Sequence, residues 1–144
     1  MLNLRKKILV AIDGKHAAWE ALSHACSLAT RIDVQLNVLL VNPPGGRRLS
    51  SAEMEVKDQI RNKIELLIEA AKAEGIKLNY YVTEGTYDDE VISFINNNKI
   101  TLLVYETLEG DIRPANKELA SSLRTLRHRI SCTIEVVAPK KTQI

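Results

Sequence analysis

Two stretches of the 144-residue sequence carry residue types that could bind a small ligand or an anion. Asp13 and Gly14 directly follow a short apolar run at residues 8–12, and a helical pattern rich in alanine begins soon after them. A strand end that faces a helix start is where open α/β folds bind ligands. Gly45-Gly46-Arg47-Arg48 could hold an anion with two guanidinium groups, although a solvated basic loop is the commoner explanation of such a stretch.

The sequence lacks the motifs of several common catalytic and metal sites. It has no Gly-x-Ser-x-Gly elbow, no Walker lysine loop and no Gly-x-Gly-x-x-Gly fingerprint. The histidines, His16, His24 and His128, show no metal-ligand spacing with a cysteine or a carboxylate. We therefore expect no metal, no catalytic residue and no enzymatic activity.

Composition and charge are those of an ordinary globular domain. The chain is 45% hydrophobic and 26% charged, and its formal net charge of +2 is too small to indicate nucleic-acid binding. It has no apolar run that could span a bilayer and no recognisable secretory signal. Cys26 and Cys132 lie far apart in the sequence, and two buried reduced thiols explain them better than a disulfide does. We expect one cytoplasmic domain over residues 1–144 that binds neither nucleic acid nor membranes.

Short apolar runs alternate with amphipathic helical patterns along the chain. The apolar runs predict five strands, at residues 8–12, 34–41, 76–83, 100–105 and 132–137. Of the four helical patterns between them, the second opens with a capping box of Ser50 and Glu53 and stops near Gly75. Residues 106–114 form a polar loop, and Pro114 suits the first turn of the last helix. The prediction is an α/β fold of Rossmann-like type: one open, mostly parallel five-stranded sheet in three layers, with helices on both faces.

Three segments follow one another in a characteristic order and spacing. Residues 8–14 lead into an alanine-rich helix, residues 82–104 combine a strand, a helix and a strand, and residues 121–137 combine a helix, a cysteine-containing turn and a strand. Together they resemble the universal stress protein family over nearly the whole chain. The resemblance implies a fold like that of the adenine nucleotide alpha hydrolases and a small regulatory or interaction protein.

ATP-binding members of that family carry a signature after the fourth strand: glycine, two residues, glycine, nine residues, glycine, then serine or threonine. It falls here on Thr107, Gly110, Ala120 and Ser121, so the spacing is kept with one glycine of three. Glycine lets backbone N–H groups approach phosphates and permits positive φ, which threonine disfavours. The resemblance therefore implies a weakened or lost adenine-nucleotide site. A genuine ATP- or AMP-binding protein is the alternative.

The resemblance also assigns the residues that would bind the nucleotide if the site is retained. They are Ala11, Asp13, Val41, Thr107, Gly110, Ala120, Ser121 and Ser122. Asp13 matches an acidic residue near the adenosine, although a turn and helix-capping aspartate is an equally good interpretation. Val41 matches a position whose backbone meets adenine, and it is a core strand residue in either case. For Gly110 and Ser121, a turn glycine and a surface serine are the better explanation, because two glycines of the signature are lost.

The last predicted strand should lie at an edge of the sheet, where an unpaired apolar strand is a template for another chain. Family members commonly pair this strand about a two-fold axis, which implies a homodimer. The pairing would use Thr133, Ile134, Glu135, Val136 and Val137. The alternative is a monomer whose edge is shielded by the segment around Pro139, with Glu135 as a charge that blocks pairing.

Two other α/β classes share the alternation of strands and helices. A nucleotide-dependent ligase would show a phosphate loop rich in glycine and serine, which Asp13-Gly14-Lys15-His16 lacks. A receiver domain would need an acidic pair after the first strand and an aspartate after the third, but Thr83-Glu84-Gly85 supplies no aspartate. Both classes are therefore disfavoured.

Overall fold

The computed structural model describes residues 6–13, 18–44, 50–107 and 117–138, and it describes side chains in the last range from residue 123 onward. Strands and helices alternate strictly along these residues, as the sequence predicts. They are β1 (Lys6–Asp13), α1 (Trp19–Arg31), β2 (Val34–Asn42), α2 (Ser51–Ala73), β3 (Leu78–Glu84), α3 (Tyr87–Asn98), β4 (Leu102–Glu106), α4 (Lys117–Arg129) and β5 (Thr133–Val137).

The five strands form one parallel sheet in the order β3-β2-β1-β4-β5. From β1 the chain winds outward to β2 and β3, then returns to the other side of β1 for β4 and β5. The strand order therefore reverses between β1 and β4, which is the position where open α/β sheets bind ligands. The prediction of a mostly parallel sheet is confirmed, and β5 lies at an edge as expected.

Alternate side chains of the central strands pack against helices on opposite faces of the sheet. Ile8, Val10 and Ile12 share one core with Leu22 of α1 and Ile64 of α2. The neighbouring residues of β1 face the other core, which α3 and α4 cover. Because β1 has a neighbouring strand on each side and helices on each face, every residue from 8 to 12 is buried.

The second helix begins and ends as its sequence predicts. The Ser50 side chain accepts a hydrogen bond from the backbone of Glu53 at 3.1 Å, and the Glu53 carboxylate accepts one from the Ser50 backbone at 3.3 Å. The capping box is therefore complete. Gly75 follows the helix with a φ of +86°, a conformation that glycine adopts without steric cost.

The fourth strand ends later than the sequence predicts. The sequence predicts a polar loop from Glu106, but this residue is the last of β4 and pairs with Val137 of β5. The ladder with β5 extends the strand beyond its apolar run, because backbone pairing does not require an apolar side chain. Pro114 and most of the predicted loop lie outside the described residues.

We expect a core position and an exposed position to respond very differently to the same truncation. Leu103 in β4 is fully buried at 0% exposure, whereas Leu66 on α2 is 68% exposed. Leu103→Ala should lower the free energy of unfolding by about 2–5 kcal/mol, since it leaves a cavity among packed side chains. Leu66→Ala should change it by less than about 0.5 kcal/mol. Urea denaturation measures both, and equal losses would contradict the described packing.

Candidate functional site

The strand order reverses between β1 and β4, and the carboxyl edge at such a switch point is where open α/β sheets form a ligand crevice. We call this edge, between the ends of β1 and β4, the crevice. The pairing of β1 with β2 continues to the end of the strand, where Asp13 lies opposite Val41. The pairing of β1 with β4 stops earlier, at Val10 opposite Val104. Beyond this point β1 and β4 are no longer paired. Ala11, Ile12 and Tyr105 are buried there, and Asp13 and Glu106 at the two strand ends are half-buried.

Three of the residues assigned by resemblance meet at this edge of the sheet. Ala11 and Val41 are buried, with 6% and 2% of their surfaces exposed, and Asp13 is half-buried. Ala11 and Asp13 belong to the β1 side of the crevice, and Val41 lies on the adjoining strand. The edge therefore combines apolar walls with a carboxylate at its rim.

The interpretation of Asp13 as a helix-capping residue is wrong. It is the last residue of β1, whereas α1 begins only at Trp19 and has Ala18 at its N-cap position. Ala18 makes no side-chain capping hydrogen bond, since its methyl group has no acceptor. The chain must therefore satisfy the first N–H groups of α1 by another route.

Glu106 supplies that capping group from the other side of the crevice. Its Oε1 accepts a hydrogen bond from the backbone N–H of Ala21 at 2.8 Å. The carboxylate therefore joins the end of β4 to the first turn of α1, where a negative charge complements the helix dipole. Nothing in the local sequence identifies this contact, and its only indirect signal is the missing acceptor at Ala18.

The surroundings of Glu106 act on its pKa in opposite directions. Burial raises the pKa of the carboxyl, and the nearby Glu20 carboxylate raises it further. Hydrogen bonds from the backbone of Ala21 and Glu20 lower it, but the net pKa is raised. Desolvation therefore disfavours the ionised form of this half-buried carboxyl.

Tyr87 supports the crevice from the opposite face of the sheet. It is the first residue of α3, and its hydroxyl donates a hydrogen bond to the carbonyl oxygen of Ala11 at 3.1 Å. Burial raises the pKa of the Tyr87 phenol, and the neighbouring Tyr105 and Asp13 raise it further. The phenol is therefore a neutral donor that ties the start of α3 to the β1 side of the crevice.

Thr107 is turned toward the edge strand β5. Its backbone N–H donates to the carbonyl oxygen of Val137 at 3.0 Å, and its hydroxyl donates to the same oxygen at 3.5 Å. In this arrangement the N–H that the signature would direct at a phosphate already has a partner. This hydrogen bond argues against phosphate binding at Thr107, in addition to the steric cost of a positive φ for threonine.

The other residues of the signature are described in part or not at all. Ala120, Ser121 and Ser122 lie in the first two turns of α4, where their backbone is helical and their side chains are not described. The helical backbone of Ala120 has no need of glycine, because helical φ is negative. Gly110 and the basic stretch at residues 45–48 lie outside the described residues.

The edge strand β5 pairs with β4 along one side, and its residue Glu135 contacts α1. The imidazole Nε2 of His24 lies 2.9 Å from the Glu135 carboxylate. Val136 exposes 40% of its surface, while Ile134 and Val137 are half-buried. The strand therefore presents both an exposed apolar side chain and a charge that already has a partner.

Other candidate chemistry is sparse in the part of the chain that the structure describes. Cys26 and Cys132 are free and half-buried, and burial raises the pKa of both thiols. Within the described ranges, no three His, Cys, Asp or Glu side chains are grouped so that they could hold a metal ion. Across the same residues, no helix is both long enough and apolar enough to cross a membrane.

We expect the Glu106 contact to stabilise the fold as a helix cap. Glu106→Ala removes the acceptor and should lower the free energy of unfolding at neutral pH by about 1 kcal/mol. Glu106→Gln keeps an oxygen that can accept from Ala21 and should cost less. Denaturant unfolding of the two variants measures the difference, and equal losses would show that the contact is not a cap.

The pH dependence of the free energy of unfolding provides a second test of the role of Glu106. Because the folded pKa of Glu106 is raised, the folded chain holds this proton more tightly than the unfolded chain. The resulting stability is fully present below the unfolded pKa of about 4.3 and is lost as the pH rises through the folded pKa. The free energy of unfolding of the unmodified protein, relative to Glu106→Gln, should therefore fall as the pH rises from about 4 and then level off.

Comparison with known proteins relates this fold to one family. The family model described as the universal stress protein family matches residues 4–137. The universal stress protein MJ0531 of Methanocaldococcus jannaschii is 26% identical over 113 residues. The match covers 73% of this chain and 66% of that relative, so the chain spans just under two thirds of the relative's length.

Solved structures show the same architecture at low sequence identity. The universal stress protein of Archaeoglobus fulgidus in complex with dAMP has a TM-score of 0.64 and 16% identity, covering 92% of this chain and 98% of that one. A family protein of Arabidopsis thaliana with AMP bound has a TM-score of 0.60 and 11% identity, covering 94% of this chain and 92% of that one. With the family model matching residues 4–137 of 144, this chain belongs to the universal stress protein family.

Proposed function

We propose that this chain is a small cytoplasmic regulatory or interaction protein, a single domain over residues 1–144 with no catalytic activity of its own. It acts as a homodimer, and its adenine-nucleotide site accepts adenosine but has a weakened hold on a triphosphate. The observation that carries the proposal is the crevice between β1 and β4. It retains Asp13 and Val41 at its edge, while the Thr107 N–H is hydrogen-bonded to β5.

The proposal that the site accepts adenosine rests on the position of the crevice and on the residues beside it. It lies where the strand order reverses, and the buried strand residues beside it, Ala11 and Val41, make the surroundings apolar, as a base requires. Asp13 ends β1 at the same edge, where a carboxylate can accept hydrogen bonds from ribose hydroxyls. Proteins of the same fold are known in complex with AMP and dAMP, which supports an adenine ligand.

The proposal that phosphate binding is weakened rests on Thr107. A phosphate is bound best by several backbone N–H groups that converge on it. The Thr107 N–H donates to the Val137 carbonyl, and its side chain adds bulk where the signature has glycine. Gly110, Ser121 and Ser122 remain as the phosphate contacts in this proposal. The alternative, a genuine ATP or AMP site, requires them to bind without Thr107.

We expect the unmodified protein to bind Mg-ATP weakly, or not detectably, in calorimetry. The double variant Thr107→Gly, Ala120→Gly should bind it more tightly, because glycine frees the loop to approach the phosphates. Thr107→Gly alone should account for most of the gain, since Ala120 is already helical.

Thr107→Val is the matched control for this experiment. Valine removes the hydroxyl but keeps the β-branched bulk, so it should leave the affinity for Mg-ATP near that of the unmodified protein. A dissociation constant in the low micromolar range for the unmodified chain would show that the threonine does not weaken the site.

The homodimer in this proposal forms through β5. Two copies would pair Thr133, Ile134, Glu135, Val136 and Val137 in antiparallel fashion about a two-fold axis. The strand lies at the edge of the sheet, and its exposed Val136 would be covered by such pairing. The monomeric alternative leaves Glu135, paired with His24, as the group that prevents pairing.

We expect light scattering at micromolar concentration to give a dimeric mass. Val136→Pro removes a backbone donor from β5 and should shift the mass toward that of a monomer if this donor faces the partner. Val82→Pro is the matched control, because Val82 is an exposed valine, 54% accessible, on the opposite edge strand β3. A monomeric mass for the unmodified chain would count directly against the pairing.

A further inference from the structure

The edge strand β5 directs the backbone groups of alternate residues to opposite sides. The N–H of Thr133 and the carbonyl oxygen of Val137 are hydrogen-bonded to the residues just before and just after β4, at 3.3 and 3.0 Å. Glu135, midway between them, directs its backbone groups toward β4 as well, because strand residues alternate. Ile134 and Val136 therefore direct their N–H and carbonyl groups to the open edge of the sheet.

This alternation determines which residues meet when two copies of β5 pair about a two-fold axis. In an antiparallel pair, the residues that exchange hydrogen bonds lie opposite each other. The register that uses both outward residues puts Ile134 opposite Val136 of the second copy. Glu135 then lies on the axis, opposite Glu135 of the second copy, in a pair whose Cα atoms are about 4.5 Å apart. Like charges directly opposite each other destabilise a strand pair, so two ionised carboxylates here oppose association.

His24 of α1 is placed to offset this repulsion. Its Nε2 lies 2.9 Å from Oε1 of Glu135, and the two side chains are 36% and 44% exposed. A protonated imidazole forms an ion pair with the carboxylate, whereas a neutral imidazole can donate a hydrogen bond but leaves the negative charge uncompensated. Histidine is the side chain whose charge changes between about pH 5 and pH 8. The net charge that β5 presents at its centre therefore depends on the pH.

The other ionisable groups around this pair belong to α1 and β4. In α1, Glu20 lies one turn before His24, and Cys26 and Arg31 follow it. Burial raises the pKa of the Cys26 thiol, which therefore stays neutral. On the face of β4 that packs against α1, the ionisable residue is Glu106, and its pKa is also raised by burial. Glu106 is therefore the neighbour whose titration must be separated from that of His24.

We propose that His24 and Glu135 form a pH-sensitive switch in the β5 interface, so that the homodimer is tight while His24 is protonated and weakens as the pH rises. This inference rests on the proposed homodimer and names its regulation. The dimer holds one proton at each His24 more tightly than the monomers do, so association is favoured as the pH falls from about 8 to about 5.5. The apolar contacts of Ile134 and Val136 supply the part of the association that is independent of pH.

The test is sedimentation equilibrium of the full chain at about pH 5.5 and about pH 8, which bracket the usual titration of histidine. The dissociation constant of the unmodified dimer should be about fivefold larger at the higher pH, a modest change because both side chains are partly exposed to solvent. About 0.5 M NaCl should narrow the difference, since salt screens the repulsion. Circular dichroism verifies that the protein is folded at both pH values.

Substitutions that fix the charge should remove the pH dependence. His24→Gln keeps a donor without a charge, so its dimer should be weak at both pH values. His24→Lys keeps a positive charge, and Glu135→Gln removes the like charges, so both variants should form a tight dimer throughout. His128→Gln, on an exposed position of α4, and Glu106→Gln are the matched controls. Both should keep the pH dependence of the unmodified protein.

Three results would overturn the inference. If the unmodified protein dimerises equally well at both pH values, or better at the higher one, His24 does not regulate the interface, although the proposed homodimer stands. If His24→Gln keeps the pH dependence while Glu106→Gln loses it, the responsible group is Glu106. If the unmodified protein and Glu135→Gln are both monomeric at both pH values, the proposed homodimer fails and this inference fails with it.

Discussion

The parallel pairing of β1 on both sides is the constraint on which the rest of the structure depends. A strand with two neighbours and two covered faces must be apolar throughout, as it is from residue 8 to residue 12. Its two ladders have different lengths: the one with β2 reaches Asp13, and the one with β4 stops at Val10. That difference leaves the ends of β1 and β4 unpaired with each other at the point where the strand order reverses, so the strand that organises the core also places the candidate site.

Glu106 connects this sheet edge to the helix that follows β1. Since Ala18 cannot cap α1, the carboxylate at the end of β4 provides the missing acceptor across the crevice. One side chain therefore meets a structural requirement of the helix and joins the end of β4 to the start of α1. In a site where a ligand phosphate binds a helix N-terminus, the ligand satisfies those N–H groups. Here the N–H of Ala21 is already bonded to the protein's own Glu106.

The fold could be predicted from the sequence because its determinants are local. Apolar runs and helical periodicity report burial, and the capping box of Ser50 and Glu53 spans only three residues. The contacts that shape the crevice are not local. Glu106 meets Ala21 across 85 positions, and Tyr87 meets Ala11 across 76. Neither pair leaves a periodic pattern, so the local sequence predicts a loop at Glu106 and favours Asp13 as a cap for α1.

The phosphate position and the edge strand are linked through one carbonyl oxygen. Both hydrogen bonds of Thr107, from its N–H and from its hydroxyl, go to Val137, the last residue of β5. A chain that directs the N–H at residue 107 toward a phosphate must withdraw it from the end of this strand. Phosphate binding and the order of the β5 edge therefore compete for the same donor. In this chain the donor stabilises the edge through which we propose that the dimer forms.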